Sequence, residues 1–279
     1  MISIRRMTQG DFSFAVSLTD DEDWGYVKED FERLLSYEPE GCFVAEIRRR
    51  PIGLATTTSY GSVGWIGNVI VDEKFRGKAV GTQLVQASLE YLRSRGAKTV
   101  HLTSYMDSIR FYERLGFEQE FPISSMSVET RAFRSPCCRL ARETDLERIL
   151  QLDASHLGGD RSRIIRRIMR DFPQLLLVTK SDPFGYAAAC CTEKSCEIGP
   201  LIVEWGSMEA AEELLRGILH NVSADKAKIF VPHANEQAME LVTSLGFEED
   251  FKTMRMLYGE INRNERVEGI YAIGALEKG

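Results

Sequence analysis

The sequence predicts an α/β (α+β) protein of two tandem domains, each a mixed, mostly antiparallel sheet flanked by helices. Three observations predict it. The chain of 279 residues exceeds the usual span of one domain, about 100–200 residues. Strand-like and helix-like patterns come in the same order in both halves. The sequence also repeats itself. Leu115-Gly116-Phe117-Glu118 returns as Leu245-Gly246-Phe247-Glu248, Pro51-Ile52-Gly53 as Pro183-Phe184-Gly185, and residues 65–72 as residues 197–204. Arg5 and Asp11 return as Arg139 and Asp145. The predicted domains are residues 1–133 and 136–279, meeting near 131–136.

Each element has a local reason. Residues 2–6 read as a short strand. Thr8 and Asp11 offer caps for a helix running through Leu18. A second helix is expected over 24–36, where Val27, Phe31, Leu34 and Leu35 fall at helical spacing. Residues 42–47 and 51–60 form a hairpin turning at Arg48-Arg49-Arg50, and 63–71 is a further strand. Over 82–95, Leu84, Val85, Ser88, Leu89 and Leu92 mark one side of a helix. A strand at 98–104, a helix at 107–115 and two strands from Phe117 complete the unit. The second half repeats this order and adds a tail, 267–276, expected as one extra strand.

Composition excludes several classes. The net charge is −7 and neither half is basic, which argues against general nucleic-acid binding. No apolar run reaches the ~18 residues of a spanning helix, and the N-terminus has no apolar core of a secretion signal. A cytoplasmic location away from membranes is expected. Cys42, Cys137, Cys138, Cys190, Cys191 and Cys196 form no CxxC pair. They read as buried, reduced residues, with no metal site.

The chemistry concentrates in Val69-Ile70-Val71-Asp72-Glu73-Lys74-Phe75-Arg76-Gly77-Lys78-Ala79-Val80-Gly81-Thr82. A β-branched strand runs into a loop with two glycines and then a helix. Such a loop turns backbone N–H groups inward, and the helix N-terminus adds positive potential, so the segment suits a pyrophosphate. Its glycine spacing matches neither the P-loop nor the dinucleotide-binding fingerprint.

Together with Phe111-Tyr112-Glu113-Arg114-Leu115-Gly116-Phe117, this segment resembles the GNAT superfamily of acyl-CoA-dependent N-acetyltransferases. The family's loop runs Gln or Arg, two residues, Gly, one residue, Gly or Ala. Gly77 and Ala79 fit, and Lys74 departs from the first position. The resemblance implies an acetyltransferase that binds acetyl-CoA through Val69, Ile70, Val71, Arg76, Gly77, Lys78, Ala79, Val80, Gly81, Thr82 and Phe111. It implies that the Val69 N–H polarises the thioester carbonyl and that Tyr112 protonates the departing thiolate. The acceptor, expected to be the primary amine of a small molecule, attacks directly. The working unit is a monomer or a homodimer.

The same resemblance places the first inter-helix connection beside the acceptor. Asp20, Asp23 and Trp24 are therefore expected, with Tyr105, to hold a cationic amine; a solvated loop with Asp23 as a helix cap is the other reading. Some family members carry a basic group where this chain has Gly67 and Trp65, which cannot take a proton. His101, Glu46 and Asp107 stand as alternatives for the base. That gap also motivates a rival, a non-catalytic acyl-CoA-binding sensor. In the second half the phosphate loop is two residues shorter and Val242 replaces Tyr112, so this half is expected to complete the acceptor pocket without chemistry of its own. The arginines over 161–170 read as a solvated helix face or an anion site. Tyr271 in the tail is a reserve candidate for acceptor binding.

Overall fold

A computed structural model describes residues 1–130, 137–191 and 196–279. The first half runs β1 (Ile2–Arg6), α1 (Phe12–Asp20), α2 (Lys28–Tyr37), β2 (Phe43–Ile47), β3 (Arg50–Tyr60), β4 (Val63–Val71), α3 (Val80–Ser94), β5 (Thr99–Tyr105), α4 (Ile109–Glu113) and β6 (Glu118–Glu129). The second runs β7 (Arg139–Leu140), α5 (Leu146–Leu157), α6 (Ser162–Asp171), β8 (Leu176–Val178), β9 (Gly185–Cys191), β10 (Cys196–Val203), α7 (Met208–Asn221), β11 (Lys226–Pro232), α8 (Glu236–Ser244), β12 (Glu248–Gly259) and β13 (Ile270–Ala272).

The expected sheets are one sheet. Its order is β1-β2-β3-β4-β5-β12-β6-β11-β10-β9-β8-β7, with β13 on β10. Replacing each strand by its repeat counterpart reverses this order, so the two halves are related by an approximate twofold between β12 and β6. They exchange strands there. β5 pairs antiparallel with β12 of the other half, Thr253↔Tyr105 through Gly259↔Thr99, and β6 pairs with β11. The predicted boundary at 131–136 lies outside the described residues.

Several local expectations change. The second helix starts at Lys28 because Asp23 and Gly25 take positive φ, 56° and 71°, which no helix accommodates. The Asp30 carboxylate, not Asp23, accepts the Val27 N–H at the helix start (2.8 Å). Residues after Phe117 form one long strand, because bulges opposite β12 let β6 bend without breaking. The tail strand shrinks to β13. Cys191 and Cys196, read as reduced, are register partners on neighbouring strands with Cα atoms 4.0 Å apart, and they form a disulfide. Arg161 is no part of a solvated face. It is buried and pairs with Asp153 at 2.6 Å, while the exposed neighbours Arg163 and Arg170 pair with Glu38 and Asp171.

Arg5 grips Asp11 and Arg139 grips Asp145, so the repeated pair ties each first strand to its first helix. Hydrogen bonding to Arg5 holds the Asp11 carboxyl below the usual range. The core lies on both faces of the sheet. Leu84, Val85 and Leu92 of α3 pack in one half and Leu214, Leu215 and Ile218 of α7 in the other.

Candidate active site

The site begins at a bulge in β4. The register slips between Thr56↔Gly67 and Leu54↔Ile70, so Asn68 and Val69 oppose the single residue Ala55. Asn68 takes a φ of 49°, an unusual state that a bulge can impose. On its other side β4 pairs in parallel with β5 only over 63–66. Beyond that the strands splay and leave the edge of Val69, Ile70 and Val71 unpaired by β5.

Two cavities meet at the splay. The first, about 540 Å³, is lined by Val69, Ile70, Val71, Phe75, Arg76, Gly77, Ala79, Val80, Gly81, Thr82, Asp107, Phe111 and Tyr112. Gly77 and Ala79 have φ of 74° and 59°, a left-handed backbone between β4 and α3. The first intrahelical bond of α3 runs from the Gln83 N–H to Ala79 O. The amides of Val80, Gly81 and Thr82 therefore have no partner within the helix and suit an anion. Arg76 donates to Val71 O (3.0 Å) and pairs with Glu22 across the groove. Lys78 does not line this cavity; its ammonium donates to Lys74 O (2.9 Å).

The second cavity, about 390 Å³, has a floor drawn from six adjacent strands: Gly67, Thr103, Thr253, Ser125, Lys228 with Phe230, and Glu197. Trp24, Tyr26, Leu276 and Glu277 also border it, and Tyr105, Ser108, Tyr112 and Phe251 complete the wall. The rings form a chain: Trp24 lies 6.4 Å from Tyr105, and Tyr105 lies 5.6 Å from Phe251. The Asn68 amide nitrogen and the Ser125 hydroxyl are buried without a hydrogen-bond partner among the described residues, and both residues line this cavity. Unmet polar groups of this kind invite a polar ligand.

Tyr112 and Val69 border both cavities, as do Glu22, Trp24, Tyr105 and Ser108. The Tyr112 ring is held edge-on by Phe111 (4.9 Å) and Phe117 (5.9 Å). Burial pushes its phenol well above the ordinary value, so it keeps its proton.

The expected acceptor residues divide. Asp23, Trp24 and Tyr105 line the second cavity, whereas Asp20 is exposed at the end of α1 and lines neither. Of the expected bases, Asp107 lies in the first cavity. Glu46 is taken by Arg5 (2.9 Å). His101 is buried outside both cavities and bonds Glu120 at 3.0 Å; burial and the nearby Arg255 hold its pKa down. Tyr271 lines neither cavity and donates to Gly206 O (2.7 Å).

Two carboxylates went unforeseen, Glu197 and Glu277. Burial, then the charge of Glu277, pushes the Glu197 carboxyl up to about 7. A signal for Glu197 existed, since it is the repeat counterpart of Trp65. Nothing in the repeat pointed to Glu277, which lies beyond it.

Residues 3–117 match the acetyltransferase (GNAT) family model and residues 149–272 an acetyltransferase (GNAT) domain model. An uncharacterized N-acetyltransferase of Archaeoglobus fulgidus is 36% identical over 107 residues, which is 33% of this chain and 72% of that one. The chain belongs to the GNAT superfamily of N-acetyltransferases. It is thus an acyltransferase, and GNAT enzymes use acetyl-CoA as cosubstrate. A second relative, an uncharacterized N-acetyltransferase of Methanocaldococcus jannaschii, is 32% identical over 104 residues. That match covers 32% of this chain and 44% of the relative, under half its length. The GNAT fold of the whole chain is shared with a putative acetyltransferase of Pyrococcus horikoshii: TM-score 0.85, 24% identity, 100% of this chain and 96% of that one.

The second GNAT half has closed its own version of the site. Leu201 and Ile202 are the repeat counterparts of Val69 and Ile70, and β13 pairs with them, Leu201↔Ala272 and Ile202↔Ile270. Ser207 caps α7 by accepting the Ala210 N–H. Its edge is thus paired by protein and one of its helix-start amides is capped.

Proposed function

We propose that this protein transfers an acetyl group from acetyl-CoA to the primary amine of a small molecule by direct attack within a ternary complex. The observation that carries this reading is the junction of two cavities at Val69 and Tyr112, one bordered by free helix-start amides and the other by aromatics and carboxylates. Gly77 to Thr82 would hold the pyrophosphate, and the open edge of residues 69–71 would hold the pantetheine arm. Acetyl-CoA supplies the activated acyl group.

The chain's own residues do the rest. The Val69 amide stands at the splay, where one N–H donor would stabilise the oxygen that gains charge. Tyr112 presents a neutral phenol at the junction and gives its proton to the thiolate as the C–S bond breaks. Trp24, Tyr105 and Asp23 hold the cationic amine against the rings. Among the described residues no cysteine lines either of these two cavities, which favours direct attack over an acyl-enzyme.

The test is acetyl-CoA turnover across a panel of amino acids, polyamines, arylalkylamines, amino sugars and short peptides, read as released thiol. Acetylation of a small amine supports the reading. Tight acetyl-CoA binding with no turnover on any amine points to the sensor instead, and preference for the peptides overturns the small-molecule acceptor.

A further inference from the structure

We propose that the second half supplies the proton acceptor of this reaction: Glu277 of the tail, seated against Gly67, together with Glu197 of β10. The inference rests on the acetyl-transfer reading above and adds the group that reading lacks.

An ammonium of pKa about 10 must lose a proton before it attacks. Gly67 stands two residues before Val69 on β4 and offers no side chain. The tail takes the vacant space. A Cβ built on Gly67 would stand 2.6 Å from the Glu277 Cβ and 2.3 Å from the Glu277 carbonyl oxygen. The Glu277 side chain therefore leaves the main chain almost where a residue-67 side chain would, and Glu277 lines the acceptor cavity. Leu276 O anchors it, accepting from Trp65 Nε1 (3.0 Å) and Thr103 Oγ1 (2.7 Å), one donor from each splayed strand.

Glu197 shares the cavity. Two carboxylates in one buried site resist double ionisation and tend to hold one proton between them. The groups facing the pair are Lys278 of the tail, Tyr26 and Asp30 around the start of α2, Lys228 of β11 and Cys190 of β9. Lys278 pairs with Glu277; against burial, the charges of Glu277 and Glu197 hold its ammonium protonated, so the available proton site sits on the carboxylates and not on the lysine.

The balance closes. The ammonium gives H⁺ to the carboxylate pair and becomes a free amine. Its lone pair forms the C–N bond and the C–S pair leaves on sulfur. Tyr112 protonates the thiolate, and the second proton on the new amide nitrogen returns through water to the tyrosinate. One proton per turnover leaves from the carboxylates to solvent.

The test uses the full chain with acetyl-CoA and the amine of the panel that it turns over best. Wild-type kcat/KM should fall on the acid side with an apparent pKa near 7. Glu277→Gln should lower kcat about 10²–10⁴-fold, move that limb to lower pH because the charge that raises the Glu197 carboxyl is gone, and leave the acetyl-CoA Kd unchanged. Glu197→Gln should abolish the limb near 7, since the raised carboxyl itself is gone. A purely structural pair would lower Tm and leave the pH profile in place, and that result overturns the proposal. A second readout needs no acceptor: ¹³C-carboxylate NMR of the wild type should show the Glu197 carboxyl titrating near neutrality. Glu197 titrating near roughly 4 also overturns it. A wild type that turns over no amine fails the acetyl-transfer reading itself, and this proposal with it.

Discussion

Gly67 and Glu277 are in contact across the splay of the first half, 210 residues apart in the chain, with the glutamate's main chain filling the space where a β-carbon would be. The contact is with backbone atoms, so no rotamer change relieves a clash. Gly67→Ala should therefore push the tail away. Overpacking of this kind costs about 1–3 kcal/mol, and urea unfolding should show a loss in that range. Acetyl-CoA affinity, measured by calorimetry, should hold, since the groove lies on the far side of Val69. Amine turnover should drop at least about tenfold, because a poorly placed proton acceptor forfeits much of its effect.

Tyr112 tests the leaving-group step. Its phenol keeps its proton at every working pH, because burial raises its pKa. Tyr112→Phe preserves the edge-on packing with Phe111 and Phe117 and removes only the oxygen. We expect kcat to fall about 10²–10⁴-fold with acetyl-CoA affinity unchanged. If pre-steady-state traces show normal chemistry in the variant, the tyrosine is packing alone.

Cofactor stoichiometry follows from the two halves' opposite treatment of one strand edge. Among the described residues, no strand pairs residues 69–71 on the β5 side, where only the Arg76 side chain reaches Val71 O, whereas β13 covers Leu201 and Ile202. One acetyl-CoA per chain is expected. A β-carbon at Gly77 would meet nothing within 4 Å, and the residue has a φ of 74°, so Gly77→Glu puts a carboxylate at the pyrophosphate loop and strains the backbone. Calorimetry of wild type and variant should give one site and none. Two equivalent sites in the wild type would mean that β13 gives way to ligand.

The acceptor pocket should rank its residues by how much water they have lost. Trp24 is half-buried and sits in the aromatic chain, while Asp23 is exposed. A desolvated cation–π contact reaches about 2 kcal/mol, and an exposed ion pair rarely exceeds about 1. Trp24→Ala should thus raise KM for the amine more than Asp23→Asn, and only the Asp23 effect should fade with added salt. Asp20→Asn should do nothing, as it lines neither cavity. Equal effects of all three would place the amine elsewhere.

Much of this was legible in the sequence, and what was not has a physical cause. The loop from Val69 to Thr82 declares itself because free amides, left-handed backbone and a helix start need glycine or alanine at fixed spacing. Tyr112 on the following helix is marked only by the family resemblance. Strand exchange left no such trace. β6 and β12 have similar patterns, and either could lie beside β5, so register between repeats is decided by tertiary packing. Glu197 was visible as the counterpart of Trp65, yet its role depends on a fold-back that periodicity does not encode. Arg161 shows the same limit: five arginines on one helix look solvated until a buried Asp153 takes one of them.

The exchanged strands carry a charge cluster whose pH dependence is testable. Arg255 of β12 bonds Glu120 of β6 (2.8 Å) and pairs with Glu265, and His101 of β5 bonds Glu120 (3.0 Å). β5, β12 and β6 are thus joined by one charge network built on the buried His101 and Arg255. Burial and the Arg255 charge hold the His101 pKa below 6.5. The folded state therefore binds fewer protons than the unfolded chain between that lowered value and about 6.5, so stability rises with pH across the window and is complete above it. His233 is lowered by burial and Lys252 and adds the same sign. Glu197 acts oppositely: its raised carboxyl makes the folded state bind more protons from about 4.5 to 7, and stability falls as pH rises there. Because these trends overlap, the informative quantity is the difference between wild type and His101→Gln, with His233→Gln as a separate control. Glutamine keeps a donor to Glu120 and does not titrate. The variant's deficit should be largest above pH 6.5 and should shrink as acid destabilises the wild type but not the variant through this group. Urea midpoints collected from pH 5 to 8 would show it, and parallel curves for the two proteins would mean that His101 takes no part in the acid sensitivity of the strand-exchanged sheet.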